Sequence, residues 1–222
     1  MSGFPRGLHL IISYGGTTTV FVAVLLWRMS SSEAAFTIPS WPQILIAAMW
    51  MIHFLRRTAE SIWVHRFGTT SLPVHQAPGP WLYYWFFSAW VAYELSGPAF
   101  TQPTFAAIIT GTTLFLLAET GNAYSHILLG RLRGTPGGAR AIPRGFLFEY
   151  VSCPHYFFEI LIWIGFSGVC GLLSAAVLTL ATIAILLVWA TQRHRAYQQE
   201  FDGKGGHELY PESRRIVIPF VY

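Results

Sequence analysis

An apolar stretch from Arg144 to Phe166 carries three side chains that can do chemistry, Glu149, His155 and Glu159. A charged group near the middle of a bilayer costs about 3 kcal/mol or more, so such groups mark a functional site or a buried polar partner. His155 and Glu159 are four residues apart, which places them on one face of a helix that runs on from Pro154. The spacing indicates either a polar pair that joins two helices or a polar cofactor pocket inside a membrane bundle.

A second polar group follows in the segment ETGNAYSHILLGRLRG. Asn122 and His126 share a helix face, and Arg131 and Arg133 come after them at the end of the apolar run. An Asn within a membrane span can hydrogen-bond a carboxamide such as that of nicotinamide, or a neighbouring helix. Arg presents a planar, permanently charged fork that suits phosphate.

A third group lies in WATQRHRAYQQEF, where Arg193, His194 and Arg195 follow the last apolar run. Basic anchors that reach the membrane surface would explain any one of these clusters alone. Three clusters that converge with Asn122, His155 and Glu159 fit a dinucleotide site better. No GxGxxG follows a strand, so the sequence excludes a Rossmann domain. Eight His residues form no HxxxH or HExxH pair, and we expect no metal site.

The composition places these groups in a membrane protein. Of 222 residues, 53% are hydrophobic and 11% are charged, whereas a soluble domain has about 25% charged residues. Six segments reach the roughly 20 residues that a transmembrane helix needs. We therefore predict an all-α integral membrane protein, one domain over residues 1–222, with about six to seven transmembrane helices. The predicted spans are about 8–27, 40–63, 81–97, 104–129, 147–168 and 171–191.

The charges predict the orientation of these spans. Thirteen of the fourteen Lys and Arg residues fall on one side of the predicted membrane, and Arg28 alone falls on the other. Positively charged loops stay in the cytosol, so we expect both termini and the cofactor site on the cytosolic face. The same topology explains the net charge of +4, and no nucleic-acid partner is expected.

The chain resembles the steroid 5-alpha-reductase superfamily, and within it the enoyl-CoA reductase branch. The similarity runs from about His53 to Tyr222 through HFLRRTAESIWVHRF, GNAYSHILLGRLR, YVSCPHYFFEILIWIGF, WATQRHRAYQQEF and IVIPFVY. It implies a helical membrane bundle of the endoplasmic reticulum that binds NADPH from the cytosolic side. The residues that it implies for the cofactor pocket are Arg57, Asn122, His126, Arg133, His155, Glu159, Arg193, His194, Arg195 and Tyr197.

The sequence departs from this family at the acid pair. The tyrosine of the family's His-Tyr element acts with a glutamate of an earlier helix on the substrate carbonyl, but here the element reads His53-Phe54. The earlier apolar run, 8–27, contains no Glu. Phe cannot donate a hydrogen bond to an enolate oxygen. Tyr14, Ser13 and His53 are therefore the candidate replacements, with Tyr14 and His53 as the predicted catalytic residues.

The resemblance implies an NADPH-dependent reductase of the C=C bond of a lipidic α,β-unsaturated carbonyl, an enoyl thioester or an enone, with hydride transfer to the β carbon. The expected partners are this small molecule and membrane lipids. An alternative keeps the pocket but isomerises or cyclises a lipid without the missing acid pair. Two further alternatives are a membrane methyltransferase, although Pro154-His155 reverses the His-Pro order of that class, and a non-enzymatic scaffold, which would not need polar groups inside its spans.

Overall fold

A computed structural model describes residues 3–30, 39–65, 71–132, 141–205 and 208–222. Six α-helices dominate these ranges, and the two strands within them have two residues each, which confirms the expected all-α class. The strands pair antiparallel. In chain order the elements are β1 (Phe4–Pro5), α1 (Arg6–Ser30), α2 (Trp41–Trp63), β2 (Ser71–Leu72), α3 (Pro78–Leu95), α4 (Phe105–Leu132), α5 (Pro154–Cys170) and α6 (Leu173–Glu200).

Two of these helices, α1 and α6, are long and apolar enough to cross a membrane. This count refers to the residues that the structure describes and rests on helix length and composition. The larger number of about six to seven transmembrane helices stays a prediction.

The start of α2 shows how the sequence sets a helix boundary. Ser40 is the N-cap, its backbone N–H donates to Oε1 of Gln43 at 2.8 Å, and Pro42 lies in the first turn. Pro is tolerated there because the first N–H groups of a helix have no partner within the helix. The helix therefore begins within one residue of the predicted span 40–63.

The structure corrects the fifth predicted span, 147–168. A short 3-10 helix covers Phe146–Glu149, and α5 begins only at Pro154. Proline has no N–H to donate and has a fixed backbone angle, so it favours the first position of a helix over an interior one. Apolar composition alone did not reveal this break.

The residues just before α5 take backbone partners from the C-terminal segment instead of forming a helix. The N–H of Ser152 donates to the carbonyl oxygen of Arg215 at 2.9 Å, and the N–H of Cys153 donates to that of Ile216 at 3.1 Å. Buried backbone groups must be paired. The C-terminal segment therefore supplies the carbonyl acceptors that the preceding turn would have supplied in a continuous helix.

The sixth helix is longer than its predicted span, 171–191. It continues to Glu200, so the basic residues Arg193, His194 and Arg195 are part of α6 and do not lie in a following loop. The polar sequence QRHRAYQQE ends the apolar run without ending the helix. Hydropathy therefore identified the apolar part of α6, but it did not indicate where the helix ends.

The described chain forms two compact units, each built from two segments. Unit 1 consists of Met1–Thr112 and Gly165–Leu178, and unit 2 consists of Thr113–Ile164 and Thr179–Tyr222. The single domain expected over residues 1–222 stays a prediction.

Aromatic rings form the core of unit 1. Trp50, which is 1% exposed, lies between three buried phenylalanines. Its ring centroid is 5.5 Å from that of Phe21, 4.8 Å from that of Phe54 and 5.5 Å from that of Phe166. Such rings contribute a large buried apolar area and hold one another in defined orientations. They hold Phe54 in place, the position at which the sequence departs from the family that it resembles.

Gly111 marks a close approach of α4 to α5 within unit 1. A Cβ atom added at Gly111 would lie 2.8 Å from the carbonyl oxygen of Gly165 and would also overlap the side chain of Val169. The obstacle includes backbone, which cannot rotate away as a side chain can. The absence of a side chain at this position lets the two helices touch.

We expect Gly111→Ala to lower the free energy of unfolding by about 1–3 kcal/mol, the usual cost of an overpacked interior. Thermal unfolding of the detergent-purified protein measures the change. Gly15→Ala is the matched control, because a Cβ at that helical position meets nothing within 4 Å. Equal losses of melting temperature in both variants would contradict a tight contact at Gly111.

Candidate functional site

Unit 2 brings together three of the predicted pocket residues. Asn122 on α4 is 1% exposed, and its Nδ2 donates to the backbone carbonyl of His155 at 2.8 Å and to Oε2 of Glu159 at 3.1 Å. Nε1 of Trp163 donates to the other oxygen of Glu159 at 3.2 Å. Neutral donors thus hold both oxygens of the carboxylate, as a polar group among apolar helices requires.

The close packing of α4 on α5 explains how the short Asn122 side chain reaches this far. The preceding residue is Gly121, where an added Cβ would overlap the ring of Phe158. The absence of a side chain at Gly121 leaves room for the Phe158 ring against α4. The sequence Gly121-Asn122 therefore places a carboxamide against the first turns of α5.

His126 belongs to the same group. It lies one turn after Asn122 on α4 and is 5% exposed, and its ring centroid is 5.6 Å from that of His155. The His155 ring in turn lies 4.2 Å from the ring of Tyr156. We define the Asn122 cluster as Asn122, His126, His155 and Glu159.

A second polar group forms around His194 on α6. The Oγ atom of Ser152 lies 2.5 Å from Nδ1 of His194 and 2.7 Å from the hydroxyl of Tyr210. The ring of Tyr197 stacks on that of Tyr210 at 5.5 Å. His194 and Tyr197, which were predicted for the cofactor pocket, thus contact Ser152 and Tyr210, which the sequence did not indicate. Ser152 stands directly before the Cys-Pro-His sequence, whereas no spacing pattern pointed to Tyr210.

The arginines of α6 remain accessible. Arg193 and Arg195 are exposed and form no ion pair with any residue that the structure describes. Arg131, at the end of α4, is exposed as well. Arg133 lies outside the described residues. Cationic side chains without an acidic partner are free to bind an anion such as phosphate.

Glu149 has a structural partner. Its Oε2 atom lies 3.4 Å from Nη2 of Arg214, which is buried and also donates through Nη1 to the carbonyl oxygen of Pro143 at 2.8 Å. The Arg214 guanidinium lies over the ring of Tyr210, 5.4 Å from its centroid. The stretch from Arg144 to Phe166 drew attention because of Glu149, His155 and Glu159. Of these three, Glu149 forms an ion pair outside the Asn122 cluster.

Unit 1 contains a separate polar network on α1 and α2. Nη1 of Arg57 lies 2.7 Å from Oε2 of Glu60, and Nη2 of Arg57 donates to the hydroxyl of Tyr14 at 3.1 Å. Arg56 also pairs with Glu60, which is 5% exposed. Arg57 thus contacts both Glu60 and Tyr14, and its predicted role toward a cofactor stays a prediction. Sequence reasoning missed Glu60, although it lies in the quoted segment HFLRRTAESIWVHRF.

The candidate replacements for the missing tyrosine differ in their surroundings. The Tyr14 ring is 6.3 Å from that of Phe54, whereas the hydroxyl of Ser13 donates to the carbonyl oxygen of His9 at 2.8 Å within α1. His53 is 2% exposed, and its ring meets that of Phe54 edge-on at 4.9 Å. Tyr14 thus places a phenol beside Phe54, the position at which the resembled family has a tyrosine.

The donor set of unit 2 fits a nicotinamide dinucleotide. Such a cofactor has a carboxamide at one end and phosphates elsewhere, so it needs polar groups within an apolar site together with cations. The Asn122 cluster supplies buried hydrogen-bonding groups, and Arg193 and Arg195 supply cations without acidic partners in the described chain. Both requirements are met by residues of one unit.

Comparison with known proteins agrees with these features. A relative described as a very-long-chain enoyl-CoA reductase, from Dictyostelium discoideum, is 35% identical over 215 residues, which cover 96% of this chain and 69% of that protein. A probable very-long-chain enoyl-CoA reductase of Caenorhabditis elegans is 36% identical over 85% of this chain and 62% of its own length. The 3-oxo-5-alpha-steroid 4-dehydrogenase 1 of Rattus norvegicus is 32% identical over 85% of this chain and 71% of that protein.

A family model described as 3-oxo-5-alpha-steroid 4-dehydrogenase matches residues 76–222, more than half of the chain. The matched range includes all of α3 to α6 and the Asn122 cluster. This confirms the resemblance that the ordered sequence segments indicated. The chain belongs to the steroid 5-alpha-reductase family.

Proposed function

We propose that this chain is an NADPH-dependent reductase of the C=C bond of a lipidic α,β-unsaturated carbonyl, with an enoyl thioester as its substrate. The observation that carries the proposal is the Asn122 cluster, in which the buried Asn122 side chain donates to Glu159 and to the His155 carbonyl. The relatives suggest the substrate class, since they are described as enoyl-CoA reductases and a steroid dehydrogenase.

The residues of the Asn122 cluster are suited to hold the carboxamide end of the cofactor. An amide group offers N–H donors and a carbonyl acceptor, and the carboxylate of Glu159 accepts N–H donors from the amide of Asn122 and the indole of Trp163. When bound, NADPH supplies the hydride that adds to the β carbon of the substrate, and water supplies the proton at the α carbon. A carboxylate in this position orients the cofactor by accepting hydrogen bonds.

Arg193 and Arg195 are suited to bind phosphate. Each guanidinium offers a fork of N–H donors, which matches two oxygens of one phosphate group. NADPH differs from NADH by one extra phosphate, so exposed arginines that bind this phosphate would favour NADPH. This coenzyme preference is part of the proposal.

The proposed location is the membrane of the endoplasmic reticulum, with both termini and the cofactor site in the cytosol. The two apolar helices α1 and α6 support membrane insertion. The basic residues Arg193 and Arg195 at the polar end of α6 support the orientation, because positive charge accumulates on the cytosolic side.

The direct test uses the detergent-purified chain. Thermal unfolding is measured with NADPH, NADH or S-adenosylmethionine, and NADPH absorbance is then followed with a trans-2-enoyl thioester. We expect NADPH to stabilise the protein most and the thioester to accelerate NADPH oxidation. Stabilisation by NADPH with product formation but no NADPH consumption would indicate an isomerase or cyclase. Stabilisation by S-adenosylmethionine alone would indicate a methyltransferase, and stabilisation by none of the three would favour a scaffold.

Glu159→Gln should weaken NADPH binding by about 10- to 100-fold, the value of a hydrogen bond to a charged group. The amide keeps the size of the side chain but removes the charge and replaces one acceptor with a donor that faces the N–H groups of Asn122 or Trp163. Titration of NADPH by its fluorescence measures the affinity. Glu212→Gln is the matched control, because Glu212 is an exposed carboxylate of the same unit. Unchanged affinity in Glu159→Gln would remove Glu159 from the cofactor site.

The double variant Arg193→Ala/Arg195→Ala should lose affinity for NADPH more than for NADH. The difference between the loss of NADPH affinity and the loss of NADH affinity should become smaller at high salt, because ions screen exposed charges. Competition titrations of both coenzymes at low and high ionic strength measure it. Arg215→Ala serves as the control, since Arg215 is an exposed arginine of the same unit. An equal loss for both coenzymes would contradict a role in choosing NADPH.

A further inference from the structure

We propose that the turn at residues 218–221 of the C-terminal segment, together with Tyr150 and Arg215, docks on the headgroup region of an anionic lipid bilayer. We name these residues the C-terminal turn surface. They all belong to unit 2. The proposal concerns a contact with the membrane outside the apolar helices, and it does not depend on the proposed reductase function.

The backbone of this turn holds Phe220 in a conformation that is costly for its side chain. The N–H of Val221 donates to the carbonyl oxygen of Ile218 at 3.1 Å. Pro219 is the second residue of the turn, and Phe220 is the third, with a φ of 66°. A proline followed by a positive φ is typical of a type II turn, whose third residue is usually Gly. A bulky residue with a positive φ is an outlier, and such strain is concentrated at functional sites.

A second phenylalanine with a positive φ shows how protein packing can offset this strain. Among the described residues, Phe146 shares the feature, with a φ of 53°. Its ring stacks on that of Phe158 at 5.6 Å and meets that of Tyr124 edge-on at 5.2 Å. Within the described ranges, the ring of Phe220 contacts one other ring, that of Tyr150 at 5.3 Å, and it remains 75% exposed. Phe220 therefore has less protein packing than Phe146.

The neighbours of Phe220 are exposed as well. Val221 is also 75% exposed, and the side chains of Ile218 and Tyr150 are partly open to the surroundings. Four apolar or aromatic side chains thus share one exposed surface. A group of this kind marks an interaction site, because water is an unfavourable environment for it.

The base of the turn is attached firmly to the rest of unit 2. Val217 is buried and packs with Cys153 and Ala190. Its N–H donates to the carbonyl oxygen of Tyr222 at 2.7 Å. The hydroxyl of Tyr222 lies 3.1 Å from Oγ1 of Thr191. The turn is therefore fixed to α6 at the level of Thr191.

Thr191 lies where the exposed surface of α6 changes from apolar to charged. The helix is long and apolar enough to cross a membrane. Val188 and Trp189 are exposed just before this point, and Arg193 and Arg195 are exposed just after it. Aromatic and basic side chains concentrate at the headgroup level of a bilayer. The contact with Thr191 therefore places the turn at the level where the bilayer meets water.

Arg215 gives the surface a charge that suits anionic lipids. It is exposed, and its N–H donates to the carbonyl oxygen of Tyr150 at 2.8 Å, which places it beside the aromatic pair. It has no acidic partner among the residues that the structure describes. A guanidinium binds the phosphate of a lipid headgroup, and exposed apolar residues with a basic one are typical of segments that lie in the membrane surface. A bilayer at the level of Thr191 covers this surface without any further protein.

The test uses the full chain in lipid nanodiscs that hold one copy each. Val221→Cys carries an environment-sensitive fluorophore, and the native Cys153 and Cys170 are buried, which protects them from the label. Quenching by a lipid with a spin label near its headgroup is compared with quenching by aqueous iodide. Gln199→Cys is the matched control, because Gln199 is exposed on the polar end of α6. We expect lipid quenching to be several-fold stronger at residue 221 than at residue 199, and iodide quenching to show the reverse order.

Phe220→Gly in the labelled protein separates membrane contact from a role in shaping the turn. Glycine adopts a positive φ without strain, so the turn can still form. Lipid quenching at residue 221 should nevertheless fall several-fold, because the ring that enters the bilayer is gone. Phe146→Gly is the matched control, since it makes the same change at another positive φ of the same unit. Equal lipid quenching in the two variants would contradict insertion of the Phe220 ring.

The role of Arg215 is tested through the lipid composition. Lipid quenching at residue 221 should be stronger in nanodiscs of anionic phosphatidylglycerol than in nanodiscs of zwitterionic phosphatidylcholine. Arg215→Gln should remove this difference, because the amide has no charge. A difference that persists in Arg215→Gln would overturn the role of Arg215.

Two outcomes would overturn the proposal as a whole. Strong iodide quenching with weak lipid quenching at residue 221 would show that the turn lies in water. Protection from both quenchers would show that protein covers the turn, either another part of this chain or, if it occurs only with two copies per nanodisc, a second copy. None of these measurements involves NADPH oxidation, so a failure of the proposed reductase function would leave their outcome unchanged.

Discussion

The pairing of buried polar groups within apolar helices is the constraint on which this structure depends. A charge moved out of water is tolerated only with partners close at hand, and the two units solve this problem in different ways. In unit 1 the Glu60 carboxylate is neutralised by Arg56 and Arg57. In unit 2 the Glu159 carboxylate is held by neutral N–H donors from Asn122 and Trp163. The first carboxylate thus pairs with cations, whereas the second accepts hydrogen bonds from uncharged groups.

This difference gives the two sites different chemical properties. The carboxylate of Glu159 accepts N–H donors from an amide and an indole, and a ligand with a carboxamide would present N–H donors as well. In unit 1 the Glu60 carboxylate pairs with Arg57, and Nη2 of Arg57 donates to the hydroxyl of Tyr14.

Much of the Asn122 cluster could be predicted from the sequence, because helical spacing puts Asn122 beside His126 and His155 beside Glu159. The all-α class also followed from composition. The link between Tyr14 and Arg57 spans 43 residues and that between Ser152 and Tyr210 spans 58, and each joins different segments of the chain. Periodicity reports only neighbours along one helix, so it cannot reveal such contacts. The break before Pro154 was missed for a related reason, since its backbone partners come from the C-terminal segment.

The pairing of the backbone before α5 with the C-terminal segment affects when this region can fold during synthesis. The N–H groups of Ser152 and Cys153 take their partners from Arg215 and Ile216, which follow α6 in the chain. When α5 leaves the ribosome, the backbone just before it therefore has no native partner, and it must wait until α6 has been synthesised and the C-terminal segment has emerged. The start of α5, which carries His155, is thus completed late in biosynthesis, and the newly made helix must remain stable in the meantime.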